Sequence, residues 1–242
     1  MMMVMKTTSR SSQPITARKI TPRQIFVQFE IHSVLQTHLL RVTSLMDFLV
    51  QHWQGPNLNR QLLLETMLLH DLGNLIKFDL RPNAFVKLMK SSELPRYRAL
   101  QAQWQAQYGF DVDEVTSRLI RQLPLHHQAQ IIDLIMNHAE GTTNAVVTSD
   151  NWTQKLCDYT DFRVGPHGLL TLAERFADLT VRYRDRRDNW QDTDQIQRHL
   201  ELFQTLESQL QTHLSCDLAT LTGTQLEPID RWLDFEFAIL QP

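Results

Sequence analysis

The stretch RQLLLETMLLHDLGNLIKF, residues 60–78, is the most hydrophobic helical segment of the chain and indicates the fold class. Its apolar side chains occupy almost every side of a helical projection, as in a helix at the centre of a bundle. Gly73 lies late in the segment, where a glycine permits close packing or a bend. The sequence therefore predicts a central helix over 60–78 that is surrounded by other helices.

Helical periodicity continues through most of the remaining chain. Residues 29–53 place apolar side chains such as Val34, Leu35 and Leu39 at three- and four-residue steps, which predicts a long helix. Similar patterns predict helices at 85–90, 95–108, 116–123, 130–139, 152–161, 171–188, 193–214 and 226–240. Clusters of Gly, Pro, Asn and other polar residues predict loops at 55–59, 81–85 and 140–151.

Several of these helices carry further signals. Asp111 or Asp113 can cap the helix that runs to Leu123, and Pro228 fits the first turn of the last helix. The apolar stripe of 193–214 predicts packing against the body of the domain, with a dimer seam as the alternative, so a homodimer stays open. The basic stretch 182–188 contains two acids and is interpreted as mostly a solvated face.

No segment shows convincing strand alternation, and 7 Gly and 9 Pro in 242 residues argue against a turn-rich β fold. The predicted class is all-α. We expect a flexible N-terminal tail at 1–20, a helical domain at 21–190, and C-terminal helices at 191–242 that pack on the same domain.

Composition narrows the classes of protein further. Apolar residues make up 42% and charged residues 21%, which is typical of soluble globular chains, and no apolar run is long enough to span a bilayer. The net charge of −3 argues against a stable nucleic-acid partner. Cys157 and Cys216 are too few for a disulfide framework and favour a cytoplasmic location, although the basic N-terminus leaves a transit peptide as a weaker alternative.

The pair His70–Asp71 interrupts the apolar pattern of the 60–78 segment. An ionised carboxylate buried without a partner costs several kcal/mol, or it takes up a proton instead. A divalent cation can accept the carboxylate oxygen and the imidazole nitrogen together. The ordinary alternative is a neutral histidine beside an aspartate that binds a helix end or an arginine.

Three further polar residues break the apolar pattern at distant points. His38 lies on the inward stripe of the 29–53 helix, Asp158 follows Leu156–Cys157 on the 152–161 helix, and His138 ends the 130–139 helix. All are His or Asp, which packing alone does not explain. Asp161 lies three residues after Asp158 and shares its helix face.

The order and spacing of these residues resemble the HD-domain superfamily of metal-dependent phosphohydrolases, over roughly residues 30–165. THLLRV carries the first His, MLLHDLGN the His-Asp pair, and LCDYTDFR the last Asp. The resemblance implies an HD-domain-like helical bundle whose metal ligands are His38, His70, Asp71 and Asp158. Asp158 is preferred to Asp161 because the family's Asp follows a small apolar residue. The ion is not distinguished among Mn, Fe, Co, Ni, Mg and Zn.

Two departures bear on the number of metal ions. Branches with two metals often have Lys where this chain has Asn74, and extra histidines in a middle helix, where this chain has Gln107, Tyr108 and Gly109. His126 and His127 could supply ligands but follow Pro124 in a predicted loop. One metal ion is therefore favoured, with a second possible through His138.

The resemblance implies hydrolysis of a phosphomonoester or phosphodiester of a small substrate, a nucleotide by preference, through a metal-activated water. Asp71 or Asp79 would take the proton of the water, and His138 would act as general acid or contact the phosphate. Lys77, Arg163 and Arg175 are the candidate cations for the developing negative charge, with Arg163 preferred. These residues complete the predicted catalytic set.

Two other classes of function compete with this hypothesis. A non-catalytic HD-like module would bind a nucleotide or another protein with the same fold. A helical scaffold would bury its His and Asp side chains in ordinary hydrogen bonds. Metal content distinguishes both from the hydrolase.

Overall fold

The computed structural model of the chain describes residues 19–81, 89–137, 143–183 and 192–240. Helices dominate these ranges, as the all-α prediction required. They are α1 (Pro22–Gln28), α2 (Ser33–Gln51), α3 (Arg60–Leu69), α4 (Leu94–Tyr108), α5 (Val112–Ile120), α6 (Gln128–Met136), α7 (Thr143–Thr148), α8 (Trp152–Arg163), α9 (Leu172–Tyr183) and α10 (Thr193–Gln211). Three 3₁₀ helices add Asn74–Lys77, Gly223–Gln225 and Ile229–Asp234.

Helix α3 lies at the centre, packed against α2, α6 and α8. Every residue from Leu62 to Leu69 is buried, including Glu65 and Thr66. Each fully buried leucine stabilises the fold by about 1.5–3 kcal/mol relative to an exposed one. The prediction of a central apolar helix is thus confirmed for this part of the 60–78 segment.

The predicted length of that helix was wrong. Helix α3 ends at Leu69, His70 forms its C-cap, and the chain continues through turns into the 3₁₀ helix Asn74–Lys77. The Gly73 amide donates a hydrogen bond to the Thr116 hydroxyl of α5 at 3.0 Å, and a Cβ at Gly73 would lie 2.8 Å from Thr116 backbone nitrogen. Helix α3 therefore ends just before the point where α5 packs closely against the backbone at Gly73.

The predicted last helix, 226–240, was also wrong. After the 3₁₀ helix Ile229–Asp234 the chain is extended, and it pairs with two distant segments of backbone. Phe237 N–H donates to Ile20 carbonyl at 3.0 Å, and Leu240 N–H donates to Pro124 carbonyl at 3.0 Å. These long-range bonds satisfy the backbone without an intrahelical ladder.

The C-terminal half packs on the same hydrophobic core as the rest of the described chain. Phe162 of α8, Phe176 of α9 and Phe203 of α10 form an aromatic cluster, with the Phe162 and Phe203 ring centroids 3.8 Å apart. The apolar stripe of α10 is buried at Phe203, Leu206 and Leu210. This supports its prediction as a packing face of the domain.

Other boundaries differ in smaller ways. Helix α1 was missed, although Thr21 and Gln24 form a capping box around Pro22. Helix α7 falls inside the predicted loop 140–151, and β1 (Val164–Gly165) pairs with β2 (Gly168–Leu169) in a short antiparallel hairpin. Asp111 caps α5, accepting from Glu114 N–H at 2.9 Å.

Some expectations fall on residues outside the described ranges. They concern most of the tail at 1–20, most of the helix at 85–90, and the end of the 171–188 helix. Within the described ranges, no helix combines the length and hydrophobicity needed to cross a membrane.

Candidate metal centre

Three segments bring four titratable side chains together. His38 lies in α2, His70 and Asp71 at the end of α3, and Asp161 in the last turn of α8. Because α2, α3 and α8 pack on one another, the three segments meet at one place. The positions of the site residues are therefore fixed by the packing of α2, α3 and α8.

The donor atoms lie close enough to share one ion. Asp161 Oδ1 is 3.0 Å from His38 Nε2 and 3.1 Å from His70 Nε2. Asp71 Oδ2 is 3.7 Å from His38 Nε2. One potential ligand atom from each of His38, His70 and Asp71 lies within 4.8 Å of the others.

These separations fit a first-row divalent ion. With ligands about 2.1 Å from the metal, neighbouring donors lie about 3.0 Å apart in an octahedral arrangement and about 3.4 Å apart in a tetrahedral one. The observed distances of 3.0, 3.1 and 3.7 Å bracket both values. Imidazole nitrogens with carboxylate oxygens suit Zn, Mn, Fe, Co and Ni.

The hydrogen bonds of His70 point to the same conclusion. Its Nδ1 lies 2.9 Å from the Met67 carbonyl oxygen, so Nδ1 carries a proton and donates it. In the neutral ring Nε2 is then an acceptor, and it faces the Asp161 carboxylate oxygen. Two acceptors at this distance need a cation or a shared proton between them. A metal ion satisfies that requirement.

The cluster is buried on one side and partly exposed to solvent on the other. The His70 side chain is 3% exposed, whereas His38, Asp71 and Asp161 are 20%, 19% and 24% exposed. Buried ligands hold their geometry, and the partly exposed carboxylates leave room for water or a small substrate to approach.

Asn74 orients one of the carboxylates. Its side-chain amide donates to Asp71 Oδ2 at 2.5 Å. Asn74 Oδ1 is buried and, among the described residues, has no hydrogen-bond partner. This hydrogen bond fixes Asp71 Oδ2, the oxygen that lies 3.7 Å from His38 Nε2.

Asp161 lies against both imidazoles, so the geometry favours the alternative to Asp158, which the sequence preferred as the fourth ligand. Asp158 is 5% exposed, and its Oδ1 accepts from Gln154 Nε2 at 2.7 Å. Asp161 faces both imidazoles. The two aspartates are three apart on one helix, so sequence periodicity could not separate them; only the rotation of α8 against α2 and α3 does.

We expected Arg163 at the cluster, but the structure places its side chain among other partners. Its side chain is 1% exposed and binds the Tyr159 hydroxyl, the Leu170 carbonyl and Glu207 of α10. Its guanidinium thus joins α8 to α10. Proximity to Asp161 in sequence was misleading, because the last turn of α8 points these two side chains in different directions.

The remaining candidates have other partners. The Asp79 carboxylate binds Arg81, with Oδ2 2.6 Å from Arg81 Nη2. His127 Nδ1 lies 2.8 Å from Glu65 Oε2, and the His126 backbone N–H donates to Ala238 carbonyl. His138 lies outside the described residues.

The Glu65 contacts show a buried network that sequence patterns did not reveal. Glu65 is fully buried and accepts from Gln61 Nε2 at 2.8 Å and from the Ala238 amide at 2.6 Å. The Ala238 bond ties α3 to the C-terminal segment, and the His127 contact ties it to the start of α6. The sequence did hold one signal of this network, because Glu65 is a charged residue within a continuous apolar run.

Two cations lie within electrostatic reach of the cluster. Lys77 has a raised pKa: its partial desolvation lowers the pKa, but attraction to Asp71, and also to Tyr183, Asp161 and Asp113, outweighs it. Arg175 has a lowered pKa because burial disfavours its charge, although Asp161 and Asp178 oppose the effect. Both were among the predicted charge-balancing residues.

Comparisons with protein-family models, with curated proteins and with solved structures found no match.

Proposed function

We propose that this chain is a metal-dependent phosphohydrolase of the HD-domain superfamily that cleaves a phosphate ester of a small substrate, a nucleotide by preference. One observation carries the proposal. Donor atoms of His38, His70 and Asp71 lie within 4.8 Å of one another, and Asp161 Oδ1 lies 3.0 and 3.1 Å from the two imidazole nitrogens. The sequence order of a His, a His-Asp pair and a distant Asp supports the same class.

A bound divalent ion would lower the pKa of a coordinated water and polarise a phosphoryl oxygen. The two imidazoles and two carboxylates hold and orient that ion. Asp71 is partly exposed and fixed by Asn74. We assign Asp71 as the base that takes the proton of the attacking water. The water oxygen bonds to phosphorus while the bond from phosphorus to the ester oxygen breaks. The proposed role of His138 as general acid stays a prediction.

One ion fits this site better than two. Asn74 donates to Asp71 where two-metal branches have Lys, and His127 is engaged by Glu65. Among the described residues, the proposed ligands are therefore His38, His70, Asp71 and Asp161. We propose a mononuclear centre.

Elemental analysis of the purified protein, followed by a phosphate-release screen, tests this function. The screen uses nucleotides with Mn, Co, Ni, Mg, Zn or Fe added separately. We expect near-stoichiometric metal and hydrolysis that a chelator abolishes. His70→Ala should lose both metal and activity, whereas His199→Ala, which removes an imidazole from α10, should retain both.

Two results would contradict the proposal. Hydrolysis at the wild-type rate in His70→Ala would place water activation elsewhere. A protein that takes up none of these metals but binds nucleotides would support the non-catalytic binding module instead.

A further inference from the structure

Helix α9 carries two arginines that share one carboxylate. Arg175 Nη1 is 3.0 Å from Asp178 Oδ2, and Arg182 Nη2 is 2.7 Å from the same oxygen. Arg182 Nε also donates to Asp178 Oδ1 at 3.0 Å. One negative charge between two guanidinium groups leaves net positive charge on this part of α9.

The first of these arginines contacts the residue next to a proposed metal ligand. Its guanidinium lies over the Phe162 ring, 5.6 Å from the ring centroid, and Phe162 directly follows the proposed ligand Asp161. The Arg175 side chain is 13% exposed. Among the described residues, Arg175 Nε is buried without a hydrogen-bond acceptor. A buried donor without an acceptor is costly, and a bound anion could satisfy it after a small side-chain rotation.

Lys77 adds a third cation next to the same cluster. It ends the 3₁₀ helix that begins just after Asp71, and its side chain is exposed. The carboxylates of Asp71 and Asp161 attract its charge, and Asp161 also attracts that of Arg175. Within the described part of the chain, its ammonium group makes no direct ion pair. Lys77 is therefore available to an incoming anion.

We propose that Arg175, Arg182 and Lys77 form an anion-binding subsite that holds the phosphoryl group of a phosphomonoester beside the metal centre. The inference rests on the proposed hydrolase function and narrows its substrate class. It also revises the interpretation of Arg182 as part of a solvated face, because its side chain is only 20% exposed and is fixed by Asp178.

The charge of the subsite favours a monoester over a diester. A phosphomonoester carries about 1.5–2 negative charges at neutral pH and three strong acceptor oxygens, whereas a diester carries one charge. Arginine donors match two of these oxygens in one plane, and lysine provides a mobile point charge. Three cations with one intervening carboxylate suit the more highly charged group.

Calorimetric titration with inorganic phosphate, using both metal-free and metal-loaded protein, tests the subsite directly. We expect Arg182→Gln and Lys77→Met each to weaken phosphate binding about tenfold or more, because each removes a charged donor. Arg23→Gln is the matched control: it also removes an arginine from one ion pair, with Asp234 of the 3₁₀ helix Ile229–Asp234. Its affinity for phosphate should stay within about twofold of wild type.

Steady-state kinetics with p-nitrophenyl phosphate and bis(p-nitrophenyl) phosphate provide the second measurement. In Arg182→Gln and Lys77→Met we expect KM for the monoester to rise more than KM for the diester. Metal content should be unchanged, which separates loss of the subsite from damage to the metal centre.

The outcomes separate the subsite from the proposed function. If both variants bind phosphate as wild type does, or if wild type does not bind it, the subsite is refuted whether or not the protein hydrolyses esters. If wild type binds phosphate and the variants lose it, the subsite stands, even when no ester is cleaved and the hydrolase function fails.

Discussion

Asp158 and Asp161 differ in what their carboxylates face, although they share one face of one helix. Asp161 Oδ1 lies near two imidazole nitrogens, whereas Asp158 accepts from the Gln154 amide. An Asp→Asn change at 161 takes a negative charge away from the two imidazoles and a bound metal, whereas asparagine at 158 keeps an oxygen that can accept from the Gln154 amide. The two substitutions should therefore differ strongly in their effect on the metal.

Asp161→Asn should weaken metal binding by at least about 100-fold, and Asp158→Asn by less than about tenfold. Competition with a chromogenic chelator measures both affinities. Because asparagine has nearly the same shape as aspartate, unchanged circular dichroism serves as the folding control. Loss of metal in Asp158→Asn with retention in Asp161→Asn would reverse our ligand assignment.

A second residue-scale prediction concerns His32, the N-cap of α2. Its Nδ1 accepts from Val34 N–H at 3.2 Å, and its ring packs against Tyr97 with Glu93 nearby. Burial lowers the pKa of His32, and the opposing attraction of Glu93 is smaller. The unfolded chain therefore binds a proton more readily than the folded protein does. Stability is lost as pH falls through the ordinary histidine pKa of about 6.5.

His32→Asn should make the free energy of unfolding less dependent on pH, since asparagine keeps a capping oxygen but does not titrate. Urea unfolding of both proteins at about pH 7.5 and about pH 5.5 measures the difference. Wild type should lose more stability between these pH values than the variant. An equal loss in both proteins would show that other groups cause the pH dependence.

At the scale of elements, Gly73 sets the distance between the end of α3 and α5. A Cβ there would lie 2.8 Å from Thr116 N, Thr116 Oγ1 and the Val112 carbonyl oxygen. Two of these atoms are backbone and cannot rotate away. The turn that carries His70 and Asp71 therefore requires glycine at position 73, because any side chain there would collide with α5.

Gly73→Ala should destabilise the protein by about 1–3 kcal/mol, the usual cost of overpacking, and should weaken metal binding by displacing Asp71. Gly223→Ala is the control, because a Cβ at that position meets no atom within 4 Å. Chemical unfolding and metal titration of both variants measure the two effects. If Gly73→Ala is as stable as Gly223→Ala, the close approach of α5 does not constrain the turn.

At the scale of the whole molecule, the proposed ion would link α2, the end of α3 and α8, which together form the centre of the fold. A ligand that binds only the folded state stabilises it in proportion to the logarithm of its concentration. The unfolded chain separates these donors by long stretches of sequence, so it cannot reproduce the site.

Saturating metal, at about 100 times Kd, should add about 2.7 kcal/mol and raise Tm by roughly 5–10 °C for a chain of this size. Differential scanning fluorimetry with and without chelator measures the shift. His70→Ala should show no shift. A wild-type Tm that is the same in metal and in chelator would favour the helical scaffold.

By itself, the sequence determined the helical class, the central apolar segment around Leu63–Leu69, and the short set of His and Asp residues that do not suit a core. Local periodicity is enough for these, because burial follows the helical repeat. The tertiary structure decided where α3 ends, which aspartate faces the imidazoles, and that Arg163 is buried against Glu207. It also folded 235–240 as an extended segment. Such choices depend on the rotation and approach of elements distant in sequence, and a one-dimensional pattern does not contain that information.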